Sequence, residues 1–149
     1  MPFIEKQNFT PNFNTFSKNN KSLLYLIINA AFSDKSYFSF IHYLVDHEAL
    51  LRDSEKTNSL LLRELSKNEN LEILKYLITH TIISANAISD SGKSLVSFAL
   101  DNNSFATVEF LLEHGATMTE EDTVLLEEKK LAAAAALLII QAEEAALIL

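Results

Sequence analysis

Three tetrapeptides constrain this chain more than anything else in it. Leu44-Val45-Asp46-His47, Leu77-Ile78-Thr79-His80 and Leu111-Leu112-Glu113-His114 recur at steps of 33 and 34 residues, each preceded by an aromatic (Tyr43, Tyr76, Phe110). Upstream, Ser22-Leu23-Leu24, Ser59-Leu60-Leu61 and Ser94-Leu95-Val96 open the same three stretches. A fixed period in this range means one supersecondary unit repeated. Each unit is too small to bury its apolar face alone, so neighbours stack and share a core. From opening serine to the first leucine of the tetrapeptide is 22, 18 and 17 residues. The first unit therefore carries about five extra residues, around 30–38, and the second carries one.

The third stretch, 92–117, shows the form of the unit. Residues 95–100 read as a short helix with Ser94 as N-cap, because a serine hydroxyl can accept from an unpaired first-turn amide. Asp101-Asn102-Asn103-Ser104 is a turn. A second helix is predicted from about 106 to 114, with Val108, Leu111 and Leu112 on one face and Phe105 at its entry. Gly115 then falls where a left-handed residue ends a helix.

This stretch resembles an ankyrin repeat. The residues that carry the resemblance are Gly92, Ser94, Val96, Ala99 and Leu111-Leu112 ahead of Gly115-Ala116, without a gap. The chain departs from the family pattern at Leu95, where proline is usual, and at Ser97, where histidine is usual. The resemblance implies an all-α, ankyrin-like helical repeat solenoid with atypical capping helices at both ends. The expected division is a cap or leader over 1–20, repeats over 21–56, 57–91 and 92–122, and a C-terminal helical cap over 123–149. Ankyrin-like stacks imply protein–protein interaction rather than catalysis.

Composition agrees with helices and excludes several classes. Two Gly and two Pro in 149 residues disfavour a sheet sandwich rich in tight turns, and 48% hydrophobic residues can build a core. Without cysteine there is no disulfide frame, thiolate zinc site or Cys nucleophile. A net charge of −8 would repel nucleic acid. Residues 1–20 lack the basic start and apolar run of a signal peptide. The expected setting is cytoplasmic, in the source cell or in a host.

Outside the third stretch, local signals are mixed. Thr10-Pro11 has the form of an N-cap followed by proline at the first helical position. Phe13 and Phe16 would then share a face, with Phe9 just ahead. This predicts a short helix covering the end of the stack; a disordered leader is the alternative. In the second unit Glu64 stands where the family has a histidine or small residue, so either that helix is shifted by one residue or the acid reaches solvent. After Asp122 comes a capping-box-like Thr119-x-x-Asp122, then an Ala/Leu-rich run over 131–149. Its longest uninterrupted apolar stretch is ten residues, and Glu143-Glu144 breaks the rest. A membrane span needs about twenty apolar residues and tolerates central acids poorly. The run predicts a helix pair closing the stack, or a self-association surface.

No motif implies chemistry. His47, His80 and His114 repeat, but equivalent positions in a stack lie about 8–10 Å apart, too far to share a zinc ion at about 2.1 Å per ligand. Each sits near a helix C-terminus, where the dipole favours a cation. Glu120-Glu121-Asp122, Glu127-Glu128 and Glu143-Glu144 are sequence neighbours and do not face one another on a helix. Gly92-Lys93-Ser94 echoes a phosphate loop, but Ala87 stands where its first glycine belongs. No catalytic residue, metal ligand or cofactor is therefore expected.

What remains is a surface. By position, the finger residues are Asp53, Glu55, Lys56 and Asn58, then Ile88, Asp90, Ser91 and Lys93. The turns after the first helices add Ser66 and Lys67, then Asp101 and Asn102. This mixed, lightly acidic set suits a protein partner with a basic or polar patch. The rival readings are the recruiting fragment of a larger enzyme, and a membrane-peripheral protein using residues 131–149. The composition would also suit an effector of an intracellular bacterium.

Overall fold

The computed structural model describes residues 12–148. The proposed helix at Thr10-Pro11 begins outside them. Among the described residues eight α-helices form: α1 (Leu23–Ser33), α2 (Phe38–Asp46), α3 (Asp53–Lys56), α4 (Ser59–Leu65), α5 (Leu71–Thr79), α6 (Leu95–Asp101), α7 (Phe105–Glu113) and α8 (Glu120–Ile148). The structure is helical, with no strand among the described residues. Three helix pairs, α1/α2, α4/α5 and α6/α7, are the three units. First helices pack on first helices, α4 on α6 and α6 on α8, while α5 packs on α7.

The first helices start alike. Ser22, Asn58 and Ser94 are their N-caps, each accepting from the amide three residues on, at 3.1, 3.0 and 3.1 Å. These caps are spaced 36 residues apart in both steps. The second unit therefore opens on Asn58, not Ser59. That shift turns Leu60 outward at 65% exposure and buries Leu61, Leu62 and Leu65. It also places Glu64 half-buried, paired to Lys67 at 2.8 Å. The Glu64 carboxylate raises the Lys67 pKa above its ordinary value.

The second helices end alike too. Ala49, Ile82 and Ala116 donate their amides to Leu44, Leu77 and Leu111 at 2.9, 2.8 and 2.9 Å. The residues before them, Glu48, Thr81 and Gly115, have φ of 65°, 58° and 90°. This is the Schellman closure, which requires a left-handed residue. Only the third unit has glycine there. The three histidines also serve these ends. Each Nδ1 pairs with the carbonyl of the aromatic four residues back, Tyr43, Tyr76 or Phe110, at 2.8–2.9 Å. Each ring stacks on that aromatic at about 4 Å between centroids.

The two ends differ from the sequence expectation. Residues 13 and 16 lie in a hairpin, not a helix. Phe16 bridges to Ser22 as Ile88 bridges to Ser94. Among the described residues the stack thus begins with a finger. At the other end, α8 is one continuous helix rather than a pair. Only its base is packed, through buried Asp122 and Leu126 and through Lys129, which donates to the Leu100 carbonyl at 2.6 Å and Asn103 Oδ1 at 2.7 Å. The reason is composition: 120–148 contains no Gly, Pro, Asn or Ser, and an alanine run is the best helix former.

Candidate protein-binding face

The fingers are built as pre-set loops. In the first, Asn14 donates from Nδ2 to the Glu48 carbonyl at 3.1 Å and accepts from Leu50 N at 2.9 Å. In the third, Asn86 donates to the Gly115 carbonyl at 2.8 Å and accepts from Thr117 N at 2.9 Å. One asparagine thus clamps each hairpin to the end of its own unit's second helix. Within each hairpin Ser17 N bonds Lys21 O, and Ser89 N bonds Lys93 O, both at 2.8 Å. The turn residue is left-handed in both, Asn20 at φ 61° and Gly92 at φ 85°.

The middle finger is a turn of helix, α3, because Glu55 pulls it inward. The Glu55 carboxylate accepts from Ser22 N at 2.9 Å, Ser22 Oγ at 2.7 Å and Arg52 N at 2.8 Å. At 1% exposure it joins the second finger to the start of α1. Asp122 has the equivalent task at the base of α8, accepting from Ser97 Oγ at 2.7 Å.

This corrects two of the expected surface residues. Glu55 is interior. So is Ser66, at 0% exposure, which donates to the Arg63 carbonyl at 2.7 Å and accepts from Asn102 Nδ2 at 3.0 Å. Neither can meet a partner. Asn58 and Asn102 are half-buried, one as an N-cap and the other as this inter-unit link. The rest reach solvent in varying degree. Asp53 pairs with Lys56 at 3.9 Å from a fully solvated position, an ion pair of little energetic weight. Asp90 donates its amide to the Thr57 carbonyl at 2.8 Å and accepts from Ser59 Oγ, while Ser91 Oγ receives from Ser59 at 3.1 Å. Lys93 pairs with Asp101 and lies 5.3 Å over the Phe98 ring. Lys67 stays with Glu64, and Ile88 is 57% exposed.

The structure adds residues that sequence reasoning missed. Phe16 stands at the position of Ile88 and is 54% exposed. Arg52 lies over its ring at 4.6 Å and donates to the Asn20 carbonyl at 2.6 Å. Phe16, Leu50, Arg52, Asp53 and Ser54 line an open cleft of about 540 Å³ between the first two fingers. The signal was present: 12–24 aligns with 84–96 without a gap, matching Asn14 to Asn86 and Lys21-Ser22-Leu23 to Lys93-Ser94-Leu95. Among the described residues no cluster of His, Asp or Glu could hold a metal ion.

Comparison with known proteins agrees with this geometry. A family model described as ankyrin repeats (3 copies) matches residues 12–122, beginning at the first finger and ending at the buried Asp122. No curated protein and no solved structure gives a significant match. On three repeats matched over most of its length, with the fingers and helix pairs in place, this chain belongs to the ankyrin repeat family, whose repeats are generally protein–protein interaction modules.

Proposed function

We propose that the protein is a non-catalytic recruiting module that grips a protein partner across its fingers and first helices. One observation carries this reading. The fingers hold large apolar side chains out into solvent, Phe16 and Ile88 at the same structural position and Leu50 beside the cleft, each more than half exposed. Leu60 continues the set on α4, next to Ser59, which bonds the third finger. Single exposed apolar residues are ordinary. A repeated set bordered by Arg52, Asp53, Asp90 and Ser91 has the anchor-and-rim form of a binding surface. The clamps and bridges fix the finger backbones before binding, which lowers the ordering cost. The net charge of −8 favours a partner with a basic or polar patch.

The test is to isolate partners from lysate, identify them by mass spectrometry, and measure the Kd of the purified protein so found. Leu60→Asp and Ile88→Asp should each weaken binding at least about tenfold, a loss of about 1.4 kcal/mol, with the melting temperature unchanged. Unaltered Kd in both variants would move the site off this face.

A further inference from the structure

α8 carries a pattern the three-unit stack does not use. Its base behaves as the first helix of a fourth unit. The Thr119 hydroxyl accepts from Asp122 N at 3.1 Å, as Ser22 and Ser94 do at their own caps. Leu126 is buried seven residues on, as Leu65 is after Asn58. This base packs on α6 as α6 packs on α4.

The next ten residues carry a second-helix pattern. Leu131 falls 12 residues after its cap, where the second and third units have Leu71 and Phe105 at 13 and 11. Leu137-Leu138 then stands where Leu77-Ile78 and Leu111-Leu112 stand, with alanines between. In the three packed units the chain reverses before this helix, at Asp34, Ser66-Lys67 or Asn102-Asn103. Here Glu127-Glu128-Lys129-Lys130 offers no breaker, and the helix runs straight. Leu131, Leu137 and Leu138 are left 69%, 54% and 66% exposed. The place such a helix would occupy is also open. Ile78 on α5 is 8% exposed beneath α7, whereas its counterpart Leu112 on α7 is only half-buried. Met118 and Leu125 are likewise half-buried, and Val124 is 57% exposed.

We propose that two copies of this chain exchange residues 131–140, each docking on the other's α7 and α8 base as the second helix of a fourth repeat. Closing the unit within one chain would break α8 where nothing favours a turn. Exchange leaves both helices intact, which is the low-cost route to a swapped dimer. A lipid bilayer is the competing occupant: by length and composition alone α8 could cross one, and none of its apolar window is buried. Glu143 and Glu144 lie within the apolar segment and oppose insertion. The proposal does not depend on the partner-binding face.

The experiment is light scattering of the full chain on size exclusion across concentration, with co-flotation on phosphatidylcholine/phosphatidylglycerol vesicles. The expected mass is twice 16.7 kDa, with no flotation. Leu137 and Leu138 touch nothing within their own three-unit stack, so Leu137→Asp with Leu138→Asp should leave that stack folded while the mass halves. Glu127→Asn with Glu128→Gly supplies a turn. The mass should again halve while 131–140 keeps slow hydrogen exchange, now closed on its own chain. A wild-type monomer at all concentrations, a dimer that survives either double variant, or flotation with vesicles would overturn the proposal.

Discussion

α2 and α5 have the same length and the same column pattern, yet they bury different amounts of it. Ile73 and Tyr76 of α5 are 1% and 9% exposed; their counterparts on α2, Phe40 and Tyr43, are 54% and 49% exposed. α5 lies between α7 and the edge of α2, whose Phe38 and His42 rings meet Tyr76 at 5.8 and 3.8 Å. α2 is the outermost second helix among the described residues. The sequence column states which side of a helix is apolar. Whether that side becomes core is decided by the neighbouring unit, as expected when stability is a sum of unit and interface terms.

The largest expected effect separates these two helices. Ile73→Ala should destabilise by about 2–5 kcal/mol, as buried aliphatic truncations do, while Phe40→Ala should cost within about 1 kcal/mol because it opens no cavity. Denaturant titration of both variants checks this, and similar losses would break the comparison.

The second effect concerns the inter-unit joint. Glu55→Ala strands the Ser22 and Arg52 amides inside the first joint and should cost about 1–3 kcal/mol. Asp122→Ala, at the partly open C-terminal joint, should cost less in the same titration. The smallest effect is a gain. Thr81 is β-branched yet left-handed, so Thr81→Gly should stabilise by about 1 kcal/mol, read as a rise in melting temperature. Gly115→Thr should lower it.

Much of this was legible in the sequence. The recurrent tetrapeptides, leucine then a second aliphatic residue and histidine in fourth place, mark the second-helix ends because the Schellman closure needs the same geometry in each unit. Ser22 and Ser94 announce their helices because capping is a local hydrogen bond. The first finger was hidden by a stronger-looking local signal, Thr10-Pro11 ahead of Phe13 and Phe16, although Asn14 repeats the clamp of Asn86. Leu60 faces outward because Asn58 competes with Ser59 for the cap and wins, which spacing alone does not decide. Glu55 and Ser66 read as surface because small or charged residues usually are. Their burial follows from partners 33 and 36 residues away. The straight course of α8 was readable as a lack of breakers, although the expected cap was a helix pair.

Native-state hydrogen exchange of the free protein tests the dependence of burial on neighbours most directly. The amides of α5 should exchange at least about tenfold more slowly than those of α2, a difference of about 1.4 kcal/mol in local opening. Equal protection in the two helices would mean that the stack opens as a single unit and that its outer edge is no weaker than its middle.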